Sequence, residues 1–129
     1  MTDYNTSLDL VARLVKQFYT NRAAYHAPEY KEADARQELI DPLFVALGWD
    51  VHNEQHNAPQ YREVIPEKSL DVEGQKKAPD YAFRQYTTTR FFVEAKKPGV
   101  AIKTAAGPAY QLRRYAWSAK LPFSLLTDF

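Results

Sequence analysis

"PDYAFRQYTTTRFFVEAKKPG", residues 79–99, decides the fold, because its apolar residues recur at every second position on both sides of a polar break. "DYAFR" alternates, "QYTTT" has turn character and "RFFVEAK" alternates again, which predicts an antiparallel β-hairpin. On the second strand Phe92, Glu94 and Lys96 share one face, and Phe91, Val93 and Ala95 share the other. Apolar residues on both sides of Glu94 suit a central strand, where a charged pair is costly unless it binds something.

Upstream, Leu8, Val11, Leu14, Val15 and Phe18 recur at helical spacing after the candidate caps Thr6 and Ser7, predicting an amphipathic helix over about 6–25. A second helical pattern follows in "EYKEADARQELIDPLFVALGWD", with Leu39, Ile40, Leu43, Phe44 and Leu47 on one face and Gly48 as its stop. Pro42 falls inside that pattern and should kink or restart the helix. Residues 53–79 are polar around the short run Tyr61 to Ile65, so strands there should be brief. Downstream, Gly107 and Pro108 open a helix through "AYQLRRYAWSAK" to Pro122, and "FSLLTDF" reads as a last short strand.

Helix, helix, strands, helix, strand is the order of an α/β (α+β) fold, with a small mixed β-sheet flanked by helices. A chain of 129 residues suits one domain, residues 1–129, with the N-terminal helix followed by a core over about 30–129. Nine Tyr, seven Phe and two Trp supply enough apolar surface to exclude disorder. The lack of cysteine excludes disulfides and thiolate zinc sites. The chain opens with no signal segment and contains no apolar run of membrane-spanning length, so no membrane partner and a cytoplasmic location are expected. Because "FSLLTDF" ends on an apolar strand with no polar tail, the chain is expected to be a fragment of a longer protein.

The formal net charge is only +1, so any case for a polyanion rests on local clusters. Lys97 and Lys103, then Arg113, Arg114 and Lys120, form such clusters and could meet phosphates, although each alone is as well explained by a solvated face. His52 and His56 lie in the loop-like "HNEQH", without the helical context of a metalloprotease zinc site. No phosphate-binding Gly-Lys loop and no methyltransferase glycine loop is present.

Asp80 and Glu94, at adjacent strand ends, have the composition to share a Mg²⁺ ion, which takes one or two carboxylates and fills its remaining positions with water and phosphate oxygens. Lys96, two residues beyond Glu94, could hold an attacking water and offset phosphate charge. A surface ion-pair set is the plainer alternative for three such residues taken alone, each pair worth at most about 1 kcal/mol.

"APDY" followed by "FFVEAKKP" resembles the PD-(D/E)xK nuclease motif, with Asp80 as the first acid and Glu94, Ala95 and Lys96 as the second part. "QLRRY" matches the QxxxY element that accompanies this motif in some branches, with Gln111 and Tyr115 on one helix face. "RQELIDPLFVALGWDV" resembles the corresponding helix and "LGWD" segment in type I restriction R subunits and type IIG restriction-modification enzymes, so the resemblance spans about residues 30–129.

The resemblance implies a restriction-endonuclease-like core and a Mg²⁺-dependent DNA endonuclease, with Mn²⁺ able to substitute. Asp80 and Glu94 would be metal ligands, the Ala95 carbonyl a further ligand, and Lys96 the residue assisting the attacking water. An acid on the preceding helix would complete the catalytic set, Glu38 being preferred over Glu32, and Gln111 and Tyr115 would position DNA or metal-bound groups. Double-stranded DNA is the implied partner, together with motor, methyltransferase and specificity regions on other domains or subunits. The alternative is a nuclease-like module that binds DNA or protein without cutting it, and a third reading is an interaction module whose hairpin charges are surface pairs.

Overall fold

The computed structural model describes residues 3–68, 70–72, 74–101, 106–121 and 123–129, apart from the side chains of residues 71, 76, 106 and 108. The chain divides into two compact units, one formed by Met1–Trp49, Ala95–Ala101 and Asp128–Phe129, the other by Asp50–Glu94 and Ile102–Thr127.

The first unit is helical. Its first helix, α1 (Tyr4–Thr20), starts earlier than the Thr6 or Ser7 cap expected from the sequence, because Asp3 accepts a hydrogen bond from the Thr6 amide at 2.9 Å. That amide bond, more than any other contact, holds the Asp3 carboxyl below its ordinary range. The helix also stops short of Tyr25. Asn21 leaves helical geometry, and a separate turn α2 (Arg22–His26) carries Tyr25 into the interior. There Tyr25 stacks on Phe18 with centroids 5.7 Å apart and accepts a hydrogen bond from Gln17 Nε2 at 2.9 Å. Leu10, Val11, Leu14 and Phe18 form the half-buried face of α1, whereas Leu8 and Val15, assigned to that face from the sequence, are exposed.

The second helical pattern divides into α3 (Glu32–Ala35), a π-helical turn (Arg36–Ile40) and α4 (Asp41–Ala46). Within this segment the Asp41 amide donates to the Arg36 carbonyl, five residues back. The wider turn lets Pro42 enter at the start of α4, where a regular helix would lose a hydrogen bond and meet the ring. It also alters the face. Leu39, Ile40 and Phe44 are buried, whereas Leu47 is exposed. Gly48, at φ +100°, closes α4 with two bonds, its own amide to Val45 O at 3.0 Å and the Trp49 amide to Phe44 O at 3.0 Å.

The second unit holds the hairpin and the last helix. Its main sheet runs β1 (Val64–Pro66), β4 (Tyr81–Gln85), β5 (Thr88–Ala95), β6 (Ser124–Thr127), and a separate ribbon pairs β2 (Leu70–Val72) with β3 (Gln75–Lys77). The expected hairpin is β4–β5, antiparallel, but its turn is only Tyr86 and Thr87, since Gln85 already faces Thr88. Residues 92–95 of β5 are buried in succession, as expected of a strand covered on both faces. Helix α5 (Ala106–Ala119) contributes Leu112 and Tyr115 to a core with Val72, Ala82 and Phe92. These elements make the small α+β architecture read from the sequence. Among the described residues, no helix is long and apolar enough to cross a membrane.

Candidate functional site

In the second unit the register of the hairpin governs the acidic pair. Tyr81 faces Val93, Ala82 faces Phe92 and Phe83 faces Phe91, and the paired residues end at Tyr81 and Val93, next in sequence to Asp80 and Glu94. Facing positions of an antiparallel ladder bring Cβ atoms to about 5 Å, within the span of two carboxylates on one cation. The neighbouring ladder also continues past its strand, because the Glu67 amide donates to the Asp80 carbonyl at 2.8 Å and fixes the Asp80 backbone. Pro79 immediately before it is fully buried.

Glu94 itself is only 5 % exposed. A buried carboxylate carries a desolvation cost of several kcal/mol unless it is paired, hydrogen-bonded or coordinated. Asp80 is half-buried, so the pair runs from the interior toward solvent. Among the described residues, no group of three or more His, Asp or Glu side chains gathers as a metal cluster. Two carboxylates are a donor set that suits an oxygen-preferring ion keeping several waters. Ala95, whose carbonyl was the expected further ligand, is buried at the end of β5.

In the first unit, Lys96 Nζ lies 3.4 Å from Glu32 Oε1. Of the two helix acids, Glu32 thus meets the motif lysine. The sequence preference for Glu38 has a different neighbour, because Glu38 Oε2 accepts a hydrogen bond from the Tyr30 hydroxyl at 2.7 Å. Burial first, and then that bond to the Glu38 carboxylate, push the Tyr30 phenol well above its ordinary pKa of 10.0. Lys97, expected to meet phosphate, donates to the Pro28 carbonyl at 3.3 Å.

On α5, Gln111 Nε2 donates to the Tyr115 hydroxyl at 2.6 Å, so the two residues form the four-apart pair the sequence predicts. Tyr115 belongs to the core, whereas Gln111 is exposed. Arg113 is exposed, and the Arg114 guanidinium lies 5.7 Å from the centre of the Tyr110 ring. Lys103 lies outside the described residues.

Two features were not singled out from the sequence. Arg84 is 7 % exposed and donates from Nε to the Arg62 carbonyl at 2.9 Å and from Nη2 to the Pro59 carbonyl at 2.6 Å, tying the loop before β1 to β4. The other is a cleft of about 900 Å³ lined by Tyr110, Arg113, Arg114, Trp117, Lys120 and Phe123, among others. The available signal was the recurrence of Tyr110, Arg113, Arg114 and Trp117 three, four and seven residues apart, one face of a helix.

The chain is 39% identical over 123 residues to the type II restriction enzyme and methyltransferase RM.Eco57I of Escherichia coli. The match takes in 94% of this chain but 12% of that protein, so the chain spans about one eighth of the length of its relative. No family model and no solved structure matches it.

Proposed function

We propose that this chain is the DNA-cleaving domain of a restriction-modification enzyme, a Mg²⁺-dependent endodeoxyribonuclease that hydrolyses phosphodiester bonds. What supports the reading is the hairpin register, which ends with Tyr81 facing Val93 beside Asp80 and the buried Glu94, within a "PD…EAK" sequence. The likeness to a restriction enzyme and methyltransferase supports the same reading from outside the motif.

In this reading Asp80 and Glu94 hold the cation, with the Ala95 carbonyl as a further ligand, and Mn²⁺ can replace Mg²⁺. When bound, the ion supplies positive charge against the phosphate and acidifies coordinated water. Glu94 is held by a strand buried on both faces, which fixes its carboxylate with little freedom to lose on binding. Lys96 follows two residues along the chain and assists the attacking water through its ammonium group. Glu32, paired with Lys96, replaces Glu38 as the acid that orients this lysine. The Gln111 and Tyr115 pair positions DNA through the exposed amide of Gln111, while the Tyr115 ring anchors it in the core. Lys97, Arg113 and Arg114 contact phosphates and carry no sequence information. Recognition, methylation and motor functions would belong to other regions or subunits.

The test is plasmid cleavage by the intact protein in Mg²⁺. Asp80→Ala and Lys96→Ala are each expected to lower the cleavage rate by at least about 100-fold, the scale of losing a charge-stabilising group at a reacting centre. Cleavage at the unchanged rate in either variant would contradict the assignment. Saturable DNA binding without any divalent-dependent cleavage would favour the non-cutting alternative.

A further inference from the structure

The cleft beside the C-terminal half of α5 combines two chemistries that rarely share a solvent-facing surface. Arg113, Arg114 and Lys120 supply three cations, and no carboxylate is among the described residues that line it. Tyr110, Trp117 and Phe123 supply rings that are 61 %, 85 % and 55 % exposed. Exposed aromatic surface of this kind is costly in water and marks a binding surface when it is contiguous.

The rings have an order. Phe83 stacks on Phe91 with centroids 4.8 Å apart and planes within 6°, and Phe91 stacks on Phe123 at 5.0 Å and 20°. The column crosses from β4 to β5 and ends at Phe123, which precedes β6 and lines the cleft. Lys120 completes the mouth from an unusual backbone position. It follows α5 at φ +57°, and its amide and that of Leu121 bond back to Trp117 O and Ala116 O at 3.1 and 2.9 Å, the same closure that Gly48 gives α4. Glycine would occupy that position with less strain.

Paired bases in a duplex hide their faces, whereas unpaired bases offer them to aromatic rings. We propose that this cleft binds the unpaired strand of DNA, with bases stacking on Trp117 and on the outer end of the Phe83, Phe91 and Phe123 column while Arg113, Arg114 and Lys120 take the adjoining phosphates. The inference rests on the DNA reading above in the choice of polymer. A nuclease domain gains from such a subsite by holding a frayed or displaced strand away from the bond being cut.

Titration of the full chain with a 12-nucleotide oligothymidylate in EDTA, read by tryptophan emission, tests this without any contribution from cleavage. The strand should quench the emission, and Trp117→Phe should remove most of that quench. Trp117→Ala, at a site too exposed to endanger folding, should weaken the Kd by about 10-fold, the scale of one lost base stack. Paired Arg113→Glu and Lys120→Glu changes should abolish binding, and the same strand in a duplex should bind at least about 10-fold more weakly. Equal affinity for strand and duplex, an unchanged Kd in Trp117→Ala, or no binding at all would overturn the proposal. Asp80→Ala should bind the strand normally, so a failed cleavage assay and a failed strand titration have separate meanings.

Discussion

At the scale of single residues, burial separates groups that hold the fold from groups available for chemistry. Arg84 is nearly enclosed, and its guanidinium donates to two loop carbonyls, those of Arg62 and Pro59. Arg84→Met should therefore cost about 2–3 kcal/mol in chemical denaturation, because carbonyls paired to a charged donor lose it in a place water reaches poorly. Tyr30 gives a pH prediction. Its folded-state pKa lies above the ordinary 10.0, so its contribution is fully present below that pH and is lost as pH rises beyond it, when the unfolded chain ionises first. Tyr30→Phe should lower the melting temperature at pH 7, and the gap to the parent protein should narrow above pH 10. A constant gap would show that the folded protein does not hold the Tyr30 phenol above its ordinary range. The motif acids were legible as residue types, whereas the register beside them, which ends with Tyr81 facing Val93, shows only in the folded hairpin. The choice between Glu32 and Glu38 was not legible, since both lie on a helix surface and only the three-dimensional path shows which meets Lys96.

At the scale of elements, the two helix ends offer a matched pair of substitutions. Gly48 has no atom within 4 Å of where a Cβ would stand, so Gly48→Ala isolates the cost of the left-handed backbone, about 1 kcal/mol by thermal or urea unfolding. Lys120→Gly should do the reverse, stabilising α5 by about 0.5–1 kcal/mol while weakening the strand-binding cleft. A Lys120→Gly protein that is no more stable would show that the end of α5 is not strained. The hairpin, α5 and the terminal strand were readable because their periods of two and 3.6 run unbroken. The restart at Pro42 was legible, but the first helix was read past its end at Asn21 and Leu47 was assigned to the buried face of the second, since a π-helical turn changes which residues face the core without changing their composition. The loop before β1 had no period to read, and Arg84, which ties it down, was not singled out.

Across the whole chain, a formal charge of +1 conceals a local concentration of cations on α5. Duplex binding through phosphate contacts should therefore fall with added salt even though the total charge is nearly balanced, and Arg113→Ala should reduce the slope of log K against log salt by about 1. An unchanged slope would remove Arg113 from the phosphate-contacting set. The match spans 12% of the length of its restriction-enzyme relative. Cation binding by Asp80 and Glu94 can be tested on this chain directly. The measurement is Mn²⁺ titration of the full chain followed by electron paramagnetic resonance of the free ion, with Asp80→Ala and Glu94→Ala alongside and circular dichroism to verify their folding. The account predicts one saturable site in the parent chain that both folded variants lose. Retention of the same site with the same affinity in either variant would contradict it.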